Sequence, residues 1–285
     1  MDASTTRHLV TISSLVVIWT LEMLLPAFPR QQRTQHTARN VSLGLMNTLL
    51  AALLITPPLL LLQKWAEASD FGLLRMTSLS TISSAVLAVL MLDGWMYLWH
   101  RASHRLPFLW RFHQVHHSDT EMDASSAVRF HTFEILLSGW LRTGVVLLLG
   151  ITLPQMLLYE TLLMPVIFFH HSNCRFPERL DKFLRLLITS PAMHRVHHSP
   201  VQSATDSNYS SIFSFWDRLG NSLCLPATEK TRCFGLKGFD GVEWQQLKGM
   251  LLMPFISRGA GENQTTLSDA SVAGAGKAET SPAAR

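Results

Sequence analysis

Charged side chains are scarce in this chain. Asp, Glu, Lys and Arg make up 15% of its 285 residues, against roughly 25% in ordinary soluble domains, while 47% are hydrophobic. That shortage argues against a freely soluble domain and for a membrane. The net charge of +4 is modest, and the basic residues are scattered around apolar segments. With no basic strip, the expected partner is lipid headgroups and not nucleic acid. Cysteine is nearly missing. Cys174, Cys224 and Cys233 form no C-x-x-C pair and their number is odd, which disfavours a disulfide framework or a thiolate metal site. Carboxylates are absent where common metal motifs need them. No Glu-x-x-His occurs, which argues against a carboxylate-rich di-metal bundle, and no His-Glu-x-x-His, which argues against a zincin-type protease. A cleavable leader is not evident either. The apolar stretch 8–28 holds Glu22 and Pro26 where small residues would precede a cleavage site, so it reads as a retained first span.

What the chain does have is long apolar runs. A bilayer core about 30 Å thick needs roughly 20 apolar residues as helix, and 8–28, 41–62 and 78–99 qualify. The apolar region 133–169, interrupted by "GITLPQ", is too long for one span and short for two, so a hairpin of two short helices is expected. Arg30, Arg33 and Arg39 crowd the loop after the first span, and Arg101, Arg105 and Arg111 follow the third. The positive-inside rule puts both regions in the cytoplasm. Residues 258–285 are small, polar and non-periodic, which predicts a disordered tail. The expected layout is therefore transmembrane helices over 1–99, a catalytic region over 100–257 that includes the hairpin, and the tail.

Histidine is concentrated. Eleven of thirteen histidines lie between His100 and His198; His8 and His36, outside that range, read as ordinary surface or core residues. "HQVHH" places His113, His116 and His117 at offsets 0, 3 and 4, and "HRVHH" repeats the pattern at His194, His197 and His198. On a helix these offsets share one face, as do His100 and His104 in "HRASH". With "HHSN" at His170 and His171, there are more neutral nitrogen donors than one ion can use. Two metals are expected. Imidazole suits zinc, copper, iron and nickel alike, so donor type leaves the metal open.

The ordered set "HRASH", "HQVHHSD", "RFHTFE", "HHSN", "MHRVHH", "TDSNYS" and "WDRLG" resembles the fatty acid hydroxylase/sterol desaturase superfamily of integral-membrane di-iron oxygenases, over roughly 91–220. The resemblance implies an all-α membrane bundle with a cytoplasmic, histidine-rich di-metal cap. Its ligands would be His100, His104, His113, His116, His117, His194, His197 and His198, with His171 matching a further family histidine. His131, between a box and a membrane helix, joins them as a ligand or near-ligand; His170 is left out, as a core residue or one that supports a ligand from behind. The chain departs from the family by reading Ser210 after Tyr209, and "WDRLGNS" near 216–222. Candidates to orient the ligands are Asp93, seven residues before His100 on the same helical face, then Glu134, Asp206, Asn208 and Tyr209. Asp119 and Asp217 read as loop, cap or arginine-paired residues, and Arg129 as meeting headgroups or carboxylates.

By the same resemblance, two iron ions (or zinc as a substitute) would hold the site, with O2 as co-substrate and no catalytic side chain beyond the metal centre. A lipid, sterol-like or fatty acyl substrate would enter from the bilayer, and a separate protein would supply electrons. A bacterial inner membrane is the expected location. Two other classes compete. A membrane metal transporter would place its ligands within spans near the midplane, whereas these follow spans. A zinc-dependent membrane hydrolase would pair one metal with a carboxylate, and the surplus of histidine weighs against it.

Overall fold

The computed structural model of the chain describes residues 2–29, 33–225 and 233–256, so the expected disordered tail lies outside the described residues. Among these residues the fold is all-helical, with only two isolated β-bridges. Helix α1 (Ala3–Leu24) is capped by Asp2, whose carboxylate accepts from Thr5 N–H at 2.9 Å. Helices α2 (Arg33–Leu54) and α3 (Thr56–Ala68) form one apolar run bent by 43°. Pro57 and Pro58, which supply no backbone N–H, open α3 at the bend. Helix α4 (Thr81–Arg105) starts at a Ser80 cap, and α5 (Pro107–His117) follows after one residue.

The apolar region 133–169 holds two helices, α6 (Thr132–Leu149) and α7 (Leu153–His171), and they are not short: each is long and apolar enough to cross a membrane. Gly150 ends α6 in the left-handed region at φ 70°, and its backbone lies so close to Gly72 that a Cβ on Gly72 would sit 2.2 Å from Gly150 Cα. A side chain at either position would prevent that contact. Thr152 and Gln155 then form a capping box that starts α7. With α1 and α4, these make four candidate spans, or five with the bent pair. The protein is an integral membrane protein, and its outward face is apolar in the way lipid requires: Ile12, Leu49, Leu53, Ile82 and Leu148 are all exposed. Inside, Leu92, Val146, Tyr159 and Leu163 belong to one buried cluster.

Short helices complete one end of the bundle: α8 (Glu178–Leu184), α9 (Pro191–His197), α10 (Gln202–Thr205), α11 (Phe215–Leu219) and α12 (Leu247–Leu252). A 3-10 turn at Ala124–Val128 lies between α5 and α6. At 1.5 Å per residue, His100 and His104 lie about 29 and 35 Å along α4 from its start, a length comparable to a hydrocarbon core about 30 Å thick.

Candidate metal centre

Four helices bring the histidines together. On α4, Asp93, Tyr97, His100 and His104 fall at i, i+4, i+7 and i+11 and form one face. Helix α5 carries His113, His116 and His117, α9 ends in the second box, and the last turn of α7 supplies His170 and His171. Nine of these side chains sort into two groups. His100, His104, His113, His117 and His197 form one; His116, His171, His194 and His198 form the other. Within each group, one nitrogen from every ring lies within 4.8 Å of all the others. Donors 2.0–2.1 Å from a shared ion span about 4 Å, so each group is close to the size that one ion needs.

The rings are oriented as ligands from behind. His100 Nδ1–H donates to Tyr209 O at 2.9 Å, His197 Nδ1–H to Ser207 O at 2.7 Å and His171 Nδ1–H to Ile167 O at 2.9 Å. His116 Nδ1–H points at Arg129 O, 3.3 Å away, and His113 Nδ1–H donates to the Glu134 carboxylate at 2.7 Å. Each such bond selects the tautomer whose Nε2 keeps a lone pair facing inward. Three Nε2 atoms converge directly: His171 Nε2 lies 3.2 Å from that of His116 and 3.0 Å from that of His194.

Burial favours neutral rings. It pushes His116, His117, His194, His197 and His198 well below the ordinary histidine pKa, and neighbouring histidines add to the depression. Neutral imidazole is the form that binds metal. Buried inward nitrogens of His100, His104, His113, His117, His197 and His198 have no hydrogen-bond partner in the protein. Unsatisfied buried acceptors are costly and uncommon. A pair of cations would satisfy this whole set at once, so the donor set fits a dinuclear metal centre.

The structure does not bring His131 into either group. It caps α6: its Nδ1 accepts from Phe133 N–H at 3.1 Å and its Nε2 donates to Leu251 O at 3.2 Å. Both nitrogens are thus engaged with backbone. His170 also lies outside, with its ring centroid 4.1 Å from that of His194. Glu134, three residues after His131 in sequence, lies directly behind His113 instead. Asp206 Oδ1 approaches His104 Nδ1 only to 3.6 Å, too far for a hydrogen bond. Asn208, at φ 52°, ties Met193 O to Cys224, and so fastens the start of α9 to the segment after α11. Tyr209 lays its ring beside His100, His104 and His197. Asp93 shares the ligand face of α4 but touches no histidine there. It accepts from Ile212 N–H, Phe213 N–H, Trp216 Nε1–H and Tyr159 O–H at 3.0–3.3 Å. Its place is behind Tyr209, anchoring the segment that carries it.

Residues read as ordinary prove to be buried around the site. His36 bridges Asp119 and Asp123, at 2.7 and 3.1 Å. Burial opposes ionisation of Asp119, yet the charges of His36 and Arg129 hold its carboxyl far below the usual range. Arg129 is 1% exposed and faces Asn40, Ser118 and Val115 O, not headgroups. Asp217 is likewise buried, accepting from Tyr209 and Ser210 N–H. The available signal was His36, Asn40 and Asn47 recurring at offsets of 4 and 11 on one face of α2.

Comparison with known proteins follows the same residues. Residues 85–222 match the family described as fatty acid hydroxylase. The chain is 29% identical over 153 residues to ornithine lipid hydroxylase of Rhizobium tropici, covering 54% of this chain and 45% of that protein. It is 31% identical over 133 residues to alkylglycerol monooxygenase of Danio rerio, covering 47% and 29%. Against cholesterol 25-hydroxylase of Rattus norvegicus the identity is 27% over 173 residues, covering 59% and 57%. In each case the match spans less than two thirds of the relative's own length. No solved structure matches the chain significantly.

Proposed function

We propose that this chain, whose residues 85–222 match the fatty acid hydroxylase family, is a membrane-bound non-haem di-iron oxygenase acting on a lipid C–H bond. The observation that carries this reading is the pair of buried histidine groups with inward lone pairs. Bound iron would supply the O2 chemistry that no side chain can perform. The balance is one oxygen atom into the C–H bond and the other into water, with two electrons and two protons from outside. A separate electron-donor protein is the proposed source.

The chain's own part is to hold and shield. His100, His104, His113, His117 and His197 would hold one ion, and His116, His171, His194 and His198 the other. Glu134 and the carbonyls of Tyr209, Ser207, Arg129 and Ile167 keep those rings in register. Tyr209 and Trp110 pack on the first group and limit water at its edge. The apolar spans give a bilayer lipid access without leaving hydrocarbon. Arginines flanking the spans support a cytoplasmic site in a bacterial inner membrane. Hydroxylation is favoured over desaturation, since the relatives are named hydroxylases and monooxygenases. Ornithine lipid, alkylglycerol and sterol-like substrates are each supported by one of those names, and fatty acyl chains by the family's.

Two measurements test this together. Lipid mass spectrometry of cells with and without the protein should show a lipid that gains one oxygen atom, and the purified protein should contain two irons and consume O2 with a reductant. A single zinc with hydrolysis independent of O2 would replace this reading with a hydrolase.

A further inference from the structure

Helix α2 lies outside the family-matched region, yet it touches the site through a polar stripe. Among the polar residues of this helix, His36, Asn40 and Asn47 are the ones buried on one side. Buried polar and ionisable groups are costly unless partnered. The partners here all belong to the segment 118–132 that follows the box on α5. His36 Nε2 and Nδ1 meet the carboxylates of Asp119 and Asp123. Asn40 Nδ2–H donates to Asp119 and Ser125, and its Oδ1 accepts from Arg129. Asn47 pairs with Phe130 O and Thr132.

Arg129 connects this stripe to the ligands. Its guanidinium donates to Val115 O and Ser118 Oγ, at the end of α5, while its own carbonyl faces His116 Nδ1–H. A cation placed on the last carbonyls of a helix also complements the helix dipole. The turn carrying His116 and His117 is therefore gripped from both sides by one residue. The Asp119 charge attracts Arg129 and the Arg39 charge opposes it, while His36 bridges Asp119 and Asp123. Both His36 nitrogens face carboxylate oxygens, so both donate, which an imidazole does only as the cation.

We infer that His36 is a positioning residue for the metal centre: it neutralises Asp119 and Asp123 so that Arg129 stays on the end of α5 and sets His116 and His117. This rests on the metal-centre reading above. The test is iron affinity and the Mössbauer spectrum of the iron-loaded, full-length protein in detergent. His36→Leu should weaken iron binding on the order of tenfold, the lower end expected for loss of outer support to ligands, and should alter the spectrum. His36→Gln, whose amide can donate to both carboxylates, should recover part of the loss. Gln63→Leu is the control. It removes a comparable buried bond, Gln63 to Ile151 O, from the same bent helix pair far from the site, and should lower thermal stability while leaving affinity and spectrum intact. Wild-type affinity and spectrum in His36→Leu, or an equal loss in Gln63→Leu, would overturn the inference. A wild-type protein that takes up no iron would overturn the metal-centre reading itself, and this inference with it.

Discussion

The boxes on α5 and α9 share a spacing and divide it in opposite ways. Helix α5 gives its outer pair, His113 and His117, to the five-membered group and its middle residue, His116, to the other. Helix α9 gives His194 and His198 to the four-membered group and sends His197 across. Each box thus contributes to both groups, and neither group can form from one box. Their supports differ as well. The rings of α5 are backed by Glu134 and Arg129 O, and by α2 beyond them. The seven-residue α9 leans on nearby chain, through the Ser190 cap and the Ser207 and Asn208 contacts. A shared motif fixes which nitrogens can ligate. Helix direction and backing fix what each does.

The unequal groups give the largest expected effect. His198→Ala leaves three donors in its group and should abolish uptake of one metal and all lipid oxidation, whereas His104→Ala leaves four and should retain partial metal. Metal analysis of both proteins decides it; a deeper loss in His104→Ala would break the asymmetry. Glu134→Ala should come next. It removes the carboxylate behind His113, and metal affinity should fall roughly 10–100-fold, as read by competition with a chelator. An unchanged affinity would mean that α5 does not depend on remote backing.

Asp93→Asn probes the floor under both boxes. Swapping an acceptor oxygen for an amide sets two N–H groups against the donors from Ile212, Phe213, Trp216 and Tyr159. Thermal unfolding should show a loss of about 1–3 kcal/mol, with metal stoichiometry retained. Loss of metal at full stability would make Asp93 part of the ligand apparatus. The smallest effect belongs to His131→Ala. A helix cap and the bond to Leu251 O are removed, at a cost of about 1–2 kcal/mol, and bound metal should be unchanged. Any drop in metal content would return His131 to the ligand set.

Much of this was legible because it is local. Offsets of 0, 3 and 4, and of 4 in "HRASH", place imidazoles on one helical face in any context, so eight ligand candidates were readable before any fold. His171 came with the family motif. A break into two helices was readable from an apolar stretch too long for one span, but not that each would be long enough to cross a membrane. His131 misled because a histidine beside the boxes at a helix start fits two roles, and only the positions of Phe133 N and Leu251 O show the cap. His36 was passed over for the opposite reason. It stands alone in sequence, and its partners lie 83 and 87 residues away.

The sequence by itself determined the membrane setting, the helical architecture and which histidines share a helical face, since hydropathy length and helical periodicity are properties of short segments. Only the tertiary structure decided how nine histidines divide into five and four, which carbonyls and carboxylates stand behind them, and that α2 belongs to the site. Those depend on where segments cross: Glu134 reaches His113 from 21 residues away, Tyr209 O meets His100 from 109 and His36 meets Asp119 from 83, and such contacts follow from packing, which no local spacing encodes.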